Sequence, residues 1–237
     1  MNRFWKQALH NMTLSGVVAS AISTAPVLAV DGDAILKQQC AVCHALEAPK
    51  GNSIERLWER KGPDLHYAGA KFNRDWLVDW LQNPTRIRPA GPFYTDSIKA
   101  AEPSDVIDDT KLKPHPSLAK ADAEGAADAL MALKGPEGLV PVGAYGGAKP
   151  NMRLGEMSFA KLRGCSACHQ AKVGEGGLSG PELYTAALRL KPDYMAAYIK
   201  DPQRFDAHVW MPRQGLSGKD VQQLTGYLLN LSPGEKK

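Results

Sequence analysis

The chain has four cysteines, and two five-residue motifs use all of them: Cys40-Ala41-Val42-Cys43-His44 and Cys165-Ser166-Ala167-Cys168-His169. Thiols at i and i+3 can reach the two vinyl groups of one porphyrin, and the histidine that follows can turn its imidazole onto the iron. The competing uses of Cys-x-x-Cys fit less well. A structural zinc site would draw two such pairs together, yet each pair here carries its own histidine and the two lie far apart in the chain. A redox dithiol belongs at the start of a βαβ unit, and no strand pattern precedes either motif. The spacing therefore predicts two covalently attached c-type haems, bound through Cys40 and Cys43 and through Cys165 and Cys168, with His44 and His169 as the proximal iron ligands.

The elements that must position these groups follow a repeat. Residues 31–39 and 153–164 each predict a short helix running into a motif. Gly32 with Leu36, and Gly155 with Phe159, place a glycine and an apolar residue one turn apart on one face, where a second helix can approach closely. Beyond the motifs, Gly62-Pro63-Asp64-Leu65 matches Gly180-Pro181-Glu182-Leu183, and Asn83-Pro84 matches Asp201-Pro202 at the same offset of 118 residues. Between these points Trp76, Leu77 and Trp80 lie over Tyr194, Met195 and Tyr198 on a helix that each proline ends. Final helices are expected over 119–133 and 219–231. Residues 135–150 are rich in Gly and Pro without helical periodicity and read as a linker.

Composition bounds the rest. Arg3 and Lys6 precede an uncharged stretch, with small residues at Val27-Leu28-Ala29. This predicts a secretory signal peptide over 1–29, with an uncleaved membrane anchor as the rival reading. The formal net charge of +4 includes those two cations and falls to +2 for the chain from Val30. Lys and Arg are scattered among acids and form no stripe, so nucleic-acid binding is not expected. The expected location is the periplasm, with association at a membrane surface left open.

Both halves resemble class I cytochrome c domains, and the tandem resembles a dihaem, cytochrome c4-type protein, over nearly all of the chain beyond residue 29. The resemblance implies a mostly α fold of two tandem domains, 30–134 with an insertion at 90–112, and 153–237, joined by a linker at 135–152. It implies that the carbonyls of Pro63 and Pro181 accept the Nδ1 protons of His44 and His169. In the family the sixth ligand is commonly a Met, often followed by Pro, in a loop before the last helix. Met211-Pro212 fits, with His208 as a nearby competitor. The first half has no such Met, since Met131 falls inside the final helix. Lys113-Pro114-His115-Pro116 stands there instead, which makes His115 the expected distal ligand. His66 and an open coordination position are the alternatives.

Iron held by two strong protein ligands leaves no place for substrate, so the expected function is outer-sphere one-electron transfer rather than catalysis. The imidazole-ligated centre of the first half is expected at lower potential than the Met-ligated centre of the second. The expected partners are a redox donor and acceptor, or a respiratory or sulfur-oxidising complex that holds the chain as a subunit. A dihaem peroxidase or sulfur-compound oxidoreductase is the enzymatic alternative. The insertion at 90–112 reads as a solvated loop, a docking element or a cover over the first site.

Overall fold

The computed structural model describes residues 31–51, 53–102 and 105–232. The signal-peptide expectation lies outside the described residues. Among them no helix is long and apolar enough to cross a membrane.

Each half begins with a helix whose start is set by a side-chain cap. Asp31 accepts a hydrogen bond from the Ala34 amide at the head of α1 (Gly32–Ile35), and Asn151 accepts one from Leu154 at the head of α6 (Met152–Met157). Both helices then widen into a π turn, Leu36–Cys40 and Ser158–Leu162, in which the amide after the turn reaches back five residues: Ala41 to Leu36 and Arg163 to Ser158, each at 2.9 Å. A π turn is costly and collects at functional sites. Here it rotates the chain into the two cysteine motifs.

Four helices complete the first half: α2 (Glu55–Glu59), α3 (Ala68–Lys71), α4 (Arg74–Gln82) and α5 (Lys120–Ala132). In the second half α7 (Ala186–Arg189), α8 (Pro192–Lys200) and α9 (Gly218–Leu229) take the places of α3, α4 and α5. The architecture is mostly α, with two small hairpins, Ile98–Lys99 against Val106–Ile107 and Gln170–Lys172 against Glu175–Gly176.

The first and last helices of each half cross at the expected glycines. A Cβ on Gly32 would lie 2.0 Å from the Gly125 carbonyl oxygen, and one on Gly155 would lie 2.5 Å from the Tyr227 Cβ. On α5 the contact face is built from the fully buried Ala123, Ala126 and Ala127, small residues at helical spacing that permit close approach. On α9 the face carries Val221, Leu224, Tyr227 and Leu228, and a Ser217–Asp220 capping box starts the helix.

The two halves meet through an isologous contact centred on Phe72 and Leu190, which form an antiparallel bridge. The Asn73 amide donates to the Arg189 carbonyl, and the Lys191 amide donates to the Lys71 carbonyl, both at 2.9 Å. Residues 71, 72 and 73 correspond to 189, 190 and 191 at the 118-residue offset, so the two hydrogen bonds are exchanged by a local two-fold axis through the Phe72–Leu190 pair. Tyr67, Tyr194 and Phe205 pack beside it with ring centroids 5.3–6.1 Å apart. The segment 135–150 is pinned rather than free: Asp193 accepts from the Gly143 and Tyr145 amides, and Arg204 donates to the Gly138 carbonyl.

The crossing glycines can be tested directly. Gly32→Ala should destabilise the protein by about 2 kcal/mol, because the added methyl meets backbone that cannot step aside. Gly218→Ala, where a Cβ meets nothing within 4 Å, should be neutral or slightly stabilising. Denaturant unfolding midpoints of the two variants check the contrast.

Candidate haem sites

In both motifs a tight turn gathers the chemistry. The Cys43 and His44 amides donate to the Cys40 carbonyl at 3.1 and 2.9 Å, and the Cys168 and His169 amides donate to the Cys165 carbonyl at 3.2 and 3.0 Å. No disulfide joins any of the four cysteines. Burial raises the Cys40 and Cys165 thiols above their ordinary value, while Cys43 and Cys168 are exposed. Among the described residues no group of three or more His, Cys, Asp and Glu could hold a metal ion.

The segment after each motif folds back on it. Leu65 donates to the Ala45 carbonyl and Leu183 to the Gln170 carbonyl, both at 2.8 Å. This brings the Gly-Pro turns under the imidazoles. His44 Nδ1 donates to the Pro63 carbonyl, and His169 Nδ1 donates to the Pro181 carbonyl, each at 2.7 Å. A carbonyl only accepts, so the bond places the proton on Nδ1 and leaves the Nε2 lone pair for a metal. Gly62 and Gly180 are required at these turns: a Cβ at either would come within 2.6 Å of the ring Cε1 of its histidine. Burial, as the largest cause, lowers the pKa of both imidazoles, which favours the neutral form that binds iron.

His115 is brought to the first site from the loop before α5. Its ring faces His44 with a centroid separation of 6.2 Å and leans on Trp80 at 4.7 Å. Its own Nδ1 donates to the Pro116 carbonyl at 2.8 Å, again freeing Nε2. The Leu118 amide ties the loop to the Leu81 carbonyl at the end of α4. Two imidazoles on opposite faces of one iron, with bonds of about 2 Å, have centroids roughly 6 Å apart. The spacing therefore fits an iron between them. His66 has a buried ring that stands edge-on to Tyr67 at 4.8 Å, with Nδ1 unpartnered. Phe72, Trp76, Trp80 and His115 form an aromatic file with centroids 5.8, 5.7 and 4.7 Å apart, leading from the junction of the halves to the first site.

Met211 is half-buried, and its carbonyl accepts from the Gln203 amide group at 2.9 Å. Gln214 donates to the Arg163 carbonyl at 2.7 Å, and Arg213 pairs with Asp201. The loop is thus tied to the segment before the second motif and to the end of α8. Trp210 before it is exposed, with its ring against Trp58 of the first half. The His208 amide donates to Asp206, and His208 lines a cleft with Arg56 and Leu57.

Some site residues escaped sequence reasoning. The acid of each Gly-Pro turn is buried against arginine: Asp64 pairs with Arg56 and Arg60, and Glu182 with Arg189. Their equivalence within the repeat was the available signal. Lys71 rests over the Tyr67, Phe72 and Tyr194 rings, and burial, the largest cause, drops its pKa to about 8.

Residues 150–228 match the family described as cytochrome C oxidase, cbb3-type, subunit III. That span runs from α6 through most of α9. The match supports a class I c-type cytochrome domain, and with it haem c and electron transfer between redox proteins. No match was found among curated proteins or among solved structures.

The turn glycines carry a prediction. In the reduced protein Gly180→Ala should push the His169 ring off Pro181 and speed exchange of its Nδ1 proton on the order of tenfold, leaving His44 unchanged. Gly62→Ala should do the reverse. Proton NMR of the two imidazole resonances reads both.

Proposed function

We propose that the chain is an exported dihaem c-type cytochrome that relays single electrons between redox partners through two tandem class I domains. The observation that carries it is the duplicated turn in which a Cys-x-x-Cys-His imidazole donates Nδ1–H to a proline carbonyl at 2.7 Å. Haem bound there supplies outer-sphere one-electron transfer.

The protein's own residues set direction. His44 and His115 would hold the first iron through two imidazole nitrogens, and His169 and Met211 would hold the second through a nitrogen and a thioether. A thioether favours ferrous iron, so the first centre takes the lower potential and the second the higher. Pro63, Pro116 and Pro181 hold the three imidazoles in the ligating tautomer. Iron held on both sides by these side chains would have no place for substrate, which sets the relay apart from a peroxidase. The matched family is described as an oxidase subunit, which favours a second reading, that of a bound cytochrome subunit of a larger oxidoreductase. Native purification separates the two by whether the chain travels alone.

Pyridine haemochrome and mass analysis should give two thioether-linked haems per chain, with Val30 as the mature N-terminus. Met211→His should abolish the near-infrared sulfur-to-iron band and lower one midpoint. His115→Ala should convert the other centre to a high-spin form that binds carbon monoxide. A first centre that stays six-coordinate after His115→Ala would overturn its ligation, and a wild-type first centre already open to peroxide would turn the reading to an enzyme.

A further inference from the structure

Arg88 belongs to the first half by sequence and to the second by position. The chain on either side of it is fastened to the second half. The Glu182 amide donates to the Ile87 carbonyl at 2.8 Å, and the Ala90 amide donates to the Leu178 carbonyl at 3.1 Å. Leu178 and Glu182 flank the Gly180-Pro181 turn that holds His169. Ala90 is fully buried, so this crossing is packed as well as hydrogen-bonded.

The guanidinium between these anchors is incompletely satisfied. Its Nη1 donates to the Pro92 carbonyl at 3.2 Å, while Nε is buried and has no partner. Tyr198, Arg60 and Cys168 act on its charge, and its charge is felt in turn at His169 and Lys71. None of these is a carboxylate, and Arg60 is a second cation already paired with Asp206. Arg88 is half-buried; a donor such as its Nε, buried without a partner, is costly, and it leaves one side of a rigid planar donor fork open.

We propose that Arg88, contributed by the first half, is the counter-ion of a carboxylate on the haem held by Cys165, Cys168 and His169. The second site is then completed across the junction of the halves. The proposal rests on the haem reading of the second motif and adds a residue that neither the motif nor the repeat marks, since the equivalent position in the second half is Asp206. Arg88 favours the reduced state of that centre, because a fixed cation, and the neutralising of a carboxylate by it, both disfavour the extra positive charge of ferric iron.

The test uses the full holo-protein. Haem is first counted by pyridine haemochrome, and the second-half midpoint is identified as the one lost in a Cys165→Ala/Cys168→Ala variant. Arg88→Gln should then raise the ferric-to-ferrous ratio of the second centre about tenfold at a fixed solution potential, leave the first centre unmoved, and be largely reversed in Arg88→Lys. Two haems with both midpoints unchanged, or a shift confined to the first centre, would overturn the assignment to Arg88 alone. Fewer than two haems in the wild type would instead overturn the dihaem reading beneath it. Where Arg88→Gln fails to retain haem, Arg88→Lys decides: a second-centre midpoint near wild type supports the ion pair, and a tenfold change despite the retained charge overturns it.

Discussion

The hydrogen bond from imidazole Nδ1 to a proline carbonyl is the constraint around which each half is arranged. It requires the Gly-Pro turn to lie directly beneath the histidine of the motif, and that requirement dictates much of the surrounding chain. Glycine must precede the proline because any side chain would strike the ring. The leucine that follows must bond back to the residue after the histidine. The acid between them is buried and must be neutralised, which Arg56 and Arg60 do in one half and Arg189 in the other. The π turn at the end of α1 and of α6 supplies the rotation that aims the motif at the turn. A single weak interaction of about 1 kcal/mol could not impose all this alone. It prevails because helix crossing, turn and buried ion pair all favour the same arrangement.

The junction of the halves repeats that logic on a larger scale. A two-fold contact needs each partner to offer the same backbone edge, and the strand-like step between α3 and α4, repeated between α7 and α8, does so with one donor and one acceptor on each side of Phe72 and Leu190. Symmetry fixes the backbone but leaves the side chains free to diverge. Lys71 thus stands where the second half has Arg189, and Phe72 where it has Leu190. Phe72 also heads the aromatic file to His115, so the residue at the two-fold axis packs in sequence with the first site.

Much of this was legible in the sequence because it is local. The cysteine motifs, the helix-crossing glycines and the Gly-Pro turns are short patterns whose geometry follows from residue type. The final helices begin and end within two residues of expectation, since a capping serine and a continuous apolar face mark α9 and small residues at helical spacing mark α5. What stayed hidden is carried by backbone groups. The bonds of Ile87 and Ala90 to the second half leave no side-chain trace, and the acidic, Gly- and Pro-bearing stretch that follows gave 90–112 the look of a solvated loop. Its described residues are mostly exposed or half-buried and carry two short 3₁₀ turns and a hairpin with strands of two residues, with Asp108 buried and bonded to Thr110 and Lys99.

The divergence of the halves is concentrated where function would need it. The frame that holds His44 and His169 is the same to within a tenth of an ångström at the hydrogen bond, so this side of the two motifs offers no way to distinguish them. The differences lie on the opposite side and at the junction: a His-Pro loop leaning on Trp80 in one half and a Met-Pro loop braced by Gln203 in the other, with Arg88 reaching across in one direction only. A symmetric pair of sites would exchange electrons without preference. Distal loops that differ in donor chemistry, and a cation that crosses the axis without a counterpart at Asp206, break that symmetry, and under the proposed ligation both would favour reduction of the second centre over the first.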